Sequence, residues 1–225
     1  MTCVQIQSVG AASLPQQFEL RPLTGNDTSA YFERRDHILK IGEGHFFSDS
    51  YEREDKLITE QKRRDWCTEK HDHCILGAFA DRNLVGFVMI TQYGPPADKT
   101  VEWEAAWVDP RYRGTGLTKA LYEEVEKWTV SEGYRFVKSF IREDNKRWLD
   151  IRRRTGFVEI GTKYVSHWAD NTDGNMVILI RDLSVPKPQQ QKSLHFLEDT
   201  ISSLEGLPAV SHGIVRARKV QALGL

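Results

Sequence analysis

The stretch Val108-Asp109-Pro110-Arg111-Tyr112-Arg113-Gly114-Thr115-Gly116-Leu117-Thr118 decides how this chain of 225 residues is interpreted. It lies between a predicted strand at residues 101–108 and an amphipathic helical pattern at residues 117–128. A turn at the beginning of a helix presents backbone N–H groups that lack an intrahelical partner, and the helix dipole adds positive charge there. Because its two glycines allow close approach and Arg113 can add a charge-assisted hydrogen bond, the turn is predicted to bind an anion such as a pyrophosphate.

The spacing of this turn differs from that of two other phosphate-binding motifs. A P-loop would need Lys and then Ser or Thr after the second glycine, and a dinucleotide-binding fingerprint would need three glycines. Taken alone, the turn indicates a phosphate site without identifying the ligand.

Apolar periodicity along residues 17–183 predicts, in order, one strand, two helices, three antiparallel strands, a helix, a strand, a helix and two strands. The predicted strands lie at residues 18–23, 74–79, 84–90, 101–108, 136–141, 157–168 and 176–183. The predicted helices lie at residues 27–41, 52–70, 117–132 and 145–155. This order is typical of an α/β fold rather than of an all-helical protein or a β-sandwich.

The glycine turn resembles the acyl-coenzyme A signature of the GCN5-related N-acetyltransferases (GNAT superfamily). In that signature Arg or Gln, two residues, Gly, one residue and Gly or Ala follow a Val-x-Pro strand end. Arg113, Gly114 and Gly116 are assigned to it, and Thr118 stands where the family prefers Gly or Ala. Downstream, Asn145 precedes Gly156-Phe157 by the family's customary interval. The resemblance implies a GNAT fold, in which a mixed central β-sheet is splayed at the cofactor strand and flanked by helices.

The resemblance further implies direct transfer of an acetyl group from acetyl-CoA to an amine, without a metal. Backbone groups around Trp107 and Val108 would pair with the pantetheine arm. The turn residues that would hold the pyrophosphate are Arg113, Gly114, Thr115, Gly116, Leu117 and Thr118. Asn145 would contact the cofactor arm, cap the following helix, or do both.

Arg152 occupies the position at which many family members carry a tyrosine that acts as general acid. An arginine cannot supply a proton near neutral pH, but it could stabilise the thiolate or bind the 3′-phosphate of the cofactor. The alternative is that Arg152, Arg153 and Arg154 form an exposed basic turn at the end of a helix. Tyr122 and Tyr164 are other conceivable acids, without support from spacing.

A primary amine has a pKa of about 10 and must lose a proton before it attacks a thioester, so the reaction needs a base. Glu102 and Glu104 are the candidates, because alternate strand residues at positions 102, 104, 106 and 108 would share one face, with Trp103 and Trp107 on the other. Glu102 is the first choice, since some family members carry a catalytic glutamate six residues before the position of Val108. Glu104 is the second, and either carboxylate could instead be a solvated strand residue.

Two further clusters are less informative. The residues His45, Phe46, Phe47 and Tyr51 either close over the acceptor or form a structural hinge, and packing is the favoured interpretation. His71, His73 and Cys74 lack the additional ligands that a metal site requires.

Composition limits the remaining possibilities. The formal net charge of −1 provides no global field for nucleic acid or an anionic membrane, and three cysteines favour a reducing cytoplasm over a disulfide framework. No signal peptide or membrane span is recognisable. Residues 1–16 are predicted to be a flexible N-terminal arm, residues 17–183 the transferase domain, and residues 184–225 a linker with an appendage.

These observations predict an acetyl-CoA-dependent N-acetyltransferase that acts on a small cationic amine. A protein N-terminal or lysine acetyltransferase is the alternative among enzymes, and a catalytically silent acyl-CoA sensor is the alternative outside them. The expected partner is the small-molecule amine, and the sequence leaves a homodimer open.

Overall fold

The computed structural model describes residues 2–6, 16–40, 58–165 and 173–186, and within these ranges eight strands form one sheet. The strands are β1 (Thr2–Ile6), β2 (Gln16–Pro22), β3 (His73–Ala80), β4 (Asn83–Gln92), β5 (Thr100–Val108), β6 (Phe136–Arg142), β7 (Val158–Val165) and β8 (Gly174–Asp182). The α-helices of the described ranges are α1 (Thr28–Lys40), α2 (Glu60–Cys67), α3 (Leu117–Ser131) and α4 (Lys146–Arg154).

The sheet opens in its middle. Its strand order is β1-β2-β3-β4-β5-β6-β8-β7, and every neighbouring pair is antiparallel except β5 and β6. These two parallel strands pair only where residues 100–102 lie beside residues 136–138. Beyond this point β5 runs to Val108 and β6 to Arg142 without pairing, so a cleft separates them. The predicted mixed sheet that is splayed at the cofactor strand is confirmed.

Each face of the sheet carries its own apolar core. On one face α3 buries Leu117, Leu121 and Val125 against β4 and β5, as the helical stripe predicts. On the other face α1 and α2 pack through residues such as Tyr31 and Trp66. Removal of these apolar surfaces from water is the main force that holds the helices on the sheet.

Strand β1 lies within the segment for which a flexible arm, residues 1–16, is predicted. It pairs antiparallel with β2 over its whole length, from Thr2 opposite Leu20 to Ile6 opposite Gln16. An edge strand is held by backbone hydrogen bonds to its neighbour and so does not need the apolar alternation on which the prediction relied. The prediction of an unstructured arm is therefore wrong for residues 2–6.

One helix is shorter than predicted within the described residues. Helix α2 covers eight residues, Glu60–Cys67, because the Thr59 side chain accepts a hydrogen bond from the backbone N–H of Lys62 and thereby caps the helix there. Strand β7 is described from Val158 to Val165, and residues 166–168 of the predicted strand lie outside the described residues. The proposed appendage lies outside the described residues except for residues 184–186, and the domain limits at 17 and 183 remain predictions.

Candidate donor and acceptor site

The cleft between β5 and β6 joins a second groove beside α3. The cleft is lined by Trp103, Glu104, Ala105, Ala106, Tyr122, Ser139, Phe140, Ile141, Asn145, Trp148 and Arg152. The groove has a volume of about 470 Å³ and is lined by Trp103, Gly114, Gly116, Thr118, Lys119, Tyr122, Glu123, Glu126, Ile151, Arg154, Thr155 and Arg181. Because Trp103 and Tyr122 border both cavities, an extended ligand could pass from one into the other.

The turn before α3 has the backbone geometry that a phosphate site requires. Gly114 and Gly116 have φ values of +82° and +94°, in the left-handed region that favours glycine. A Cβ atom built on Gly114 would meet no atom within 4 Å, so this part of the turn faces open space. Helix α3 begins immediately after Gly116, and the N–H groups of its first turn lack intrahelical partners.

The two arginines of the turn have different contacts. Arg113 donates from Nε to the carbonyl oxygen of Val108 at 2.9 Å, so the side chain ties the turn to the end of β5. Arg111 pairs with Asp109, with Nη2 to Oδ2 at 2.7 Å. The family spacing of two residues before the first glycine is met by Arg111, which corrects the assignment of Arg113 to that position of the signature.

A β-bulge in β5 changes which side chains share a face. Ala105 has φ +46°, and the pairing with β4 shifts by one residue between Glu104 and Trp107. Trp107 therefore packs on the α1 and α2 face, against Phe87, whereas Val108 packs on the α3 face. The expected alternation holds for Glu102 and Glu104 but fails beyond Ala105.

The bulge also affects the predicted contacts with pantetheine. Neither Trp107 nor Val108 lines the cleft or the groove, and the carbonyl of Val108 is engaged by Arg113. The cleft is instead bordered by Ala105 and Ala106. We therefore move the predicted pantetheine-pairing backbone to these two alanines.

Glu102 lies at the closed end of the cleft, in the last residue pair of β5 and β6, beside Lys138. Burial, and next the charge of Glu104, raise the pKa of Glu102 well above its usual value, and Lys138 opposes this rise. The Lys138 ammonium is buried and lies 3.4 Å from the hydroxyl of Tyr93. Burial, and next the charge of Glu102, raise the pKa of Tyr93 to about 12, so Tyr93 stays protonated at neutral pH.

Glu104 faces the same side and lines the cleft itself. Its Oε1 accepts a hydrogen bond of 3.0 Å from the hydroxyl of Thr91 on β4. The Thr91 oxygen in turn lies 3.4 Å from Nδ1 of the buried His73, whose Nε2 donates to the Trp66 carbonyl at 2.7 Å. The two carboxylates therefore lie on one wall, together with a single buried ammonium.

Arg152 is buried, which contradicts the alternative of an exposed basic turn for this residue. Its guanidinium packs over the rings of Tyr122 and Phe157, and Nη2 donates to the Tyr122 hydroxyl at 3.1 Å and to the Trp103 carbonyl at 3.4 Å. Burial lowers the pKa of Arg152, which remains an arginine with no proton to give at neutral pH. Burial raises the pKa of Tyr122, and Arg152 opposes that rise.

Asn145 caps α4, because its Oδ1 accepts a hydrogen bond from the Trp148 backbone N–H at 3.3 Å. It also lines the cleft, so a contact with the cofactor arm stays compatible with the capping role. Thr118 lines the groove on the first turn of α3. Thr115 donates its hydroxyl to the Tyr112 carbonyl at 2.7 Å and thereby stabilises the turn, and Leu117 is buried in the core.

The remaining candidates lie elsewhere. Tyr164 is exposed and bonds Asp173, away from the cleft. His71 pairs with Glu132 at the surface. Burial raises the pKa of Cys67 to about 12, so this cysteine does not form a thiolate at neutral pH. Among the described residues, no group of three or more His, Cys, Asp or Glu side chains is placed to hold a metal ion. His45, Phe46, Phe47 and Tyr51 lie outside the described residues.

Comparison with known proteins agrees with this geometry. The model of the acetyltransferase (GNAT) family matches residues 37–157, which include the glycine turn and both carboxylates. The chain belongs to the GNAT acetyltransferase family. Members of this family typically transfer an acetyl group from acetyl-CoA. A search of curated proteins finds no match for this chain.

Solved GNAT structures share the fold at low sequence identity. The acetyltransferase of GNAT family from Streptococcus pneumoniae is 18% identical, with a TM-score of 0.63 over 73% of this chain and 98% of that chain. The Salmonella typhimurium protein yncA, determined with its cofactor acetyl-CoA, is 15% identical, with a TM-score of 0.61 over 75% and 95%. The ribosomal-protein-S18-alanine N-acetyltransferase from Escherichia coli is 15% identical, with a TM-score of 0.55 over 75% and 96%.

Several residues of this GNAT site are not predicted from the sequence. Lys138 is a charged residue that lies with Ser139 between the apolar pairs Phe136-Val137 and Phe140-Ile141, which is a pattern that could have drawn attention to it. Thr91 and Tyr93 come just after the apolar run at residues 84–90 and have no distinguishing pattern.

The described residues contain no helix that is both long enough and apolar enough to span a membrane.

Proposed function

We propose that this protein transfers the acetyl group of acetyl-CoA directly to the primary amine of a small cationic molecule. The observation that carries the proposal is the wall formed by Glu102 and Glu104 beside the cleft, where two carboxylates face one buried ammonium, that of Lys138. The excess negative charge would attract an ammonium group and would also provide a base to deprotonate it.

On the donor side, the pyrophosphate would lie against the turn at residues 113–118, where backbone N–H groups and the N-terminus of α3 face the groove. The pantetheine arm would continue past Tyr122 into the cleft, beside Ala105 and Ala106. At the mouth of the groove, Lys119 on α3 and Arg154 on α4 provide positive charge for the 3′-phosphate.

In the proposed reaction Glu102 takes a proton from the acceptor ammonium, directly or through water. A carboxyl whose pKa is raised is a stronger base than an ordinary glutamate, and burial and the charge of Glu104 both raise the pKa of Glu102. The amine nitrogen then attacks the carbonyl carbon of the thioester, and the carbon–sulfur bond breaks as the tetrahedral intermediate collapses. Glu104 attracts and orients the cationic acceptor.

Tyr122 is our choice for the group that gives a proton to the departing thiolate. It borders both cavities, and burial keeps its pKa raised, so the phenol is protonated at neutral pH. Arg152 holds the phenol by a hydrogen bond of 3.1 Å and would stabilise negative charge nearby. Replacing Tyr122 with Phe should slow transfer from acetyl-CoA much more than transfer from an aryl thioester, whose thiolate leaves without a proton.

The proposal is tested by measuring thiol release from acetyl-CoA with a panel of polyamines, amino acids, aminoglycosides and peptides, with product masses confirmed. Amine-dependent release with small cationic amines is expected. Release with peptides only would identify a protein acetyltransferase. Tight binding of acetyl-CoA without any amine-dependent release would identify a sensor, and the proposal would then be wrong.

A further inference from the structure

Thr91 has a hydroxyl group that serves neither the donor site nor the core packing. It lies on β4 directly opposite Glu102 and is buried, and its hydroxyl is directed sideways to Oε1 of Glu104, 3.0 Å away. A hydrogen bond from a hydroxyl to a carboxylate is of the stronger, charge-assisted kind. The cleft wall thus contains a carboxylate with one oxygen held by a neighbouring strand.

The Thr91 oxygen also lies close to a buried histidine on the next strand. His73 on β3 lies opposite Thr91, with Nδ1 at 3.4 Å from the Thr91 oxygen. The other ring nitrogen of His73 donates to the carbonyl of Trp66 at 2.7 Å, which fixes the ring against α2. A row of hydrogen-bonding groups therefore runs from α2 through β3 and β4 to Glu104 on β5.

The hydrogens available on Thr91 and His73 decide which of these groups donate and which accept. A threonine hydroxyl has one hydrogen, and in this geometry it is donated to Glu104. Because His73 Nε2 donates to the Trp66 carbonyl, Nδ1 can donate to the Thr91 oxygen only when the ring is doubly protonated. With the Thr91 hydrogen committed to Oε1, the carboxylate cannot turn freely about its last side-chain bonds. Its orientation along the cleft wall is set before any acceptor arrives, which reduces the ordering that binding requires.

We propose that Thr91 is a positioning residue that holds the Glu104 carboxylate in the orientation that binds the acceptor ammonium. The inference rests on the proposed function, because it gives Glu104 the acceptor-binding role. It adds a specificity element that lies outside the glycine turn and outside the base.

The test is a double-mutant cycle with Thr91→Val and Glu104→Gln, in which kcat/KM is measured for the best amine of the panel. We expect Thr91→Val to lower kcat/KM about ten-fold, mainly through KM, because a hydrogen bond to a charged group is lost. In the Glu104→Gln background the same change should have almost no further effect. An equal effect in both backgrounds, or no effect of Glu104→Gln alone, would overturn the proposal.

Two controls separate the hydroxyl from packing. Thr91→Ser keeps the oxygen and Thr91→Ala removes it while both lose the methyl group, so only the alanine variant should lose activity. Thr100→Val is the matched control, since Thr100 is also buried in the sheet but donates to the Asp98 carbonyl. It should leave KM for the amine unchanged.

A second measurement does not depend on catalysis. A carboxylate that loses a hydrogen-bond donor binds its proton more tightly. The titration midpoint of the Glu104 carboxyl carbon, followed by ¹³C NMR, should therefore shift to higher pH in Thr91→Ala and stay near the wild-type value in Thr91→Ser. If no amine is acetylated, the proposed function fails, yet this titration still decides whether Thr91 holds Glu104; equal midpoints in the two variants would show that it does not.

Discussion

Three consecutive arginines at the end of α4 show how strongly the surroundings decide a residue's role. Arg152 is buried against Tyr122 and Trp103, whereas Arg153 forms ion pairs with Asp150 and Glu159 at the surface. Arg154 is exposed and lines the donor groove. We therefore propose Arg154, in place of Arg152, as the arginine that binds the 3′-phosphate of the cofactor.

This reassignment predicts how strongly the protein distinguishes acetyl-CoA from acetyl-3′-dephospho-CoA. Arg154→Ala should weaken binding of acetyl-CoA by about 5- to 30-fold, which corresponds to about 1–2 kcal/mol, and should leave binding of the dephospho compound unchanged. Calorimetry with both ligands measures the difference. Arg147→Ala is the matched control, because Arg147 is exposed at the opposite end of α4 and does not line the groove. If Arg154→Ala weakened binding of both ligands equally, Arg154 would not contact the 3′-phosphate.

The two glutamates should have different kinetic signatures. Glu102→Gln should lower kcat by roughly 10²- to 10⁴-fold, because the reaction loses its base. Glu104→Gln should raise KM for the cationic amine by an amount that decreases as salt screens the attraction, and should leave kcat nearly unchanged. Steady-state kinetics at two ionic strengths distinguish these effects. Exchange of the two signatures would exchange the two roles.

The raised pKa of Glu102 gives this comparison a pH dependence. The base works only when ionised, so wild-type kcat should fall as pH decreases through the raised pKa, and this acidic limb should disappear in Glu102→Gln.

The same raised pKa links Glu102 to stability. The folded state binds the Glu102 proton more tightly than the unfolded state, so its contribution to stability is present at low pH and is lost as pH rises through the raised pKa. Glu102→Gln should therefore have a higher Tm than the wild type at neutral pH and the same Tm near pH 4. Thermal scans at both pH values provide this control for folding.

At the scale of elements, the turn before α3 combines an irregular backbone with a regular helix. Gly114 is the position at which a side chain can be added without a clash, although its φ of +82° suits only Gly and, less well, Asn or Asp. This allows a substitution pair that differs in charge alone.

Gly114→Asp and Gly114→Asn have nearly the same shape and the same backbone cost. The aspartate should weaken acetyl-CoA binding at least about ten-fold more than the asparagine, because its charge repels the pyrophosphate. Calorimetry measures the two affinities, and circular dichroism confirms that both variants are folded. Equal affinities would place the pyrophosphate elsewhere.

At the scale of the whole molecule, Leu183 and Ser184, near the end of the described residues, form hydrogen bonds with residues at the edge of the core. The Asp182 carboxylate accepts from Arg135 and from the backbone and hydroxyl of Ser184, and the Leu183 backbone N–H donates to the Arg135 carbonyl. Leu183 and Ser184 thus form hydrogen bonds with the core on either side of the predicted domain limit at residue 183.

Truncation after Pro186 should leave a core that unfolds cooperatively with a Tm close to that of the full chain. Truncation after Leu183 should lower the unfolding free energy by about 1–2 kcal/mol, because Asp182 loses two hydrogen bonds from Ser184. Thermal and urea unfolding of the two truncated proteins measure the difference. Loss of cooperative unfolding in the longer one would show that residues 187–225 belong to the core.

The splayed sheet was implied by the resemblance to the GNAT family, whereas the sequence patterns themselves determined the α/β architecture, the glycine turn before α3 and the shared face of Glu102 and Glu104. These are consequences of short-range patterns, since apolar periodicity and glycine spacing are expressed within one element and its neighbouring turn. The edge strand β1 was not predicted, because its backbone pairing with β2 does not require a recognisable side-chain pattern.

Only the tertiary structure decided the positions of Trp107, Arg152, Lys138 and Thr91. The bulge at Ala105 turns Trp107 to the face that carries α1 and α2. The sequence does not indicate this bulge, because an alanine gives no sign that its φ is +46°. Arg152 is buried because aromatic rings from α3 and β5 surround it, and Lys138 and Thr91 reach the carboxylates from strands on either side of β5. Such contacts depend on strand register and burial, which are fixed by packing between residues far apart in the chain.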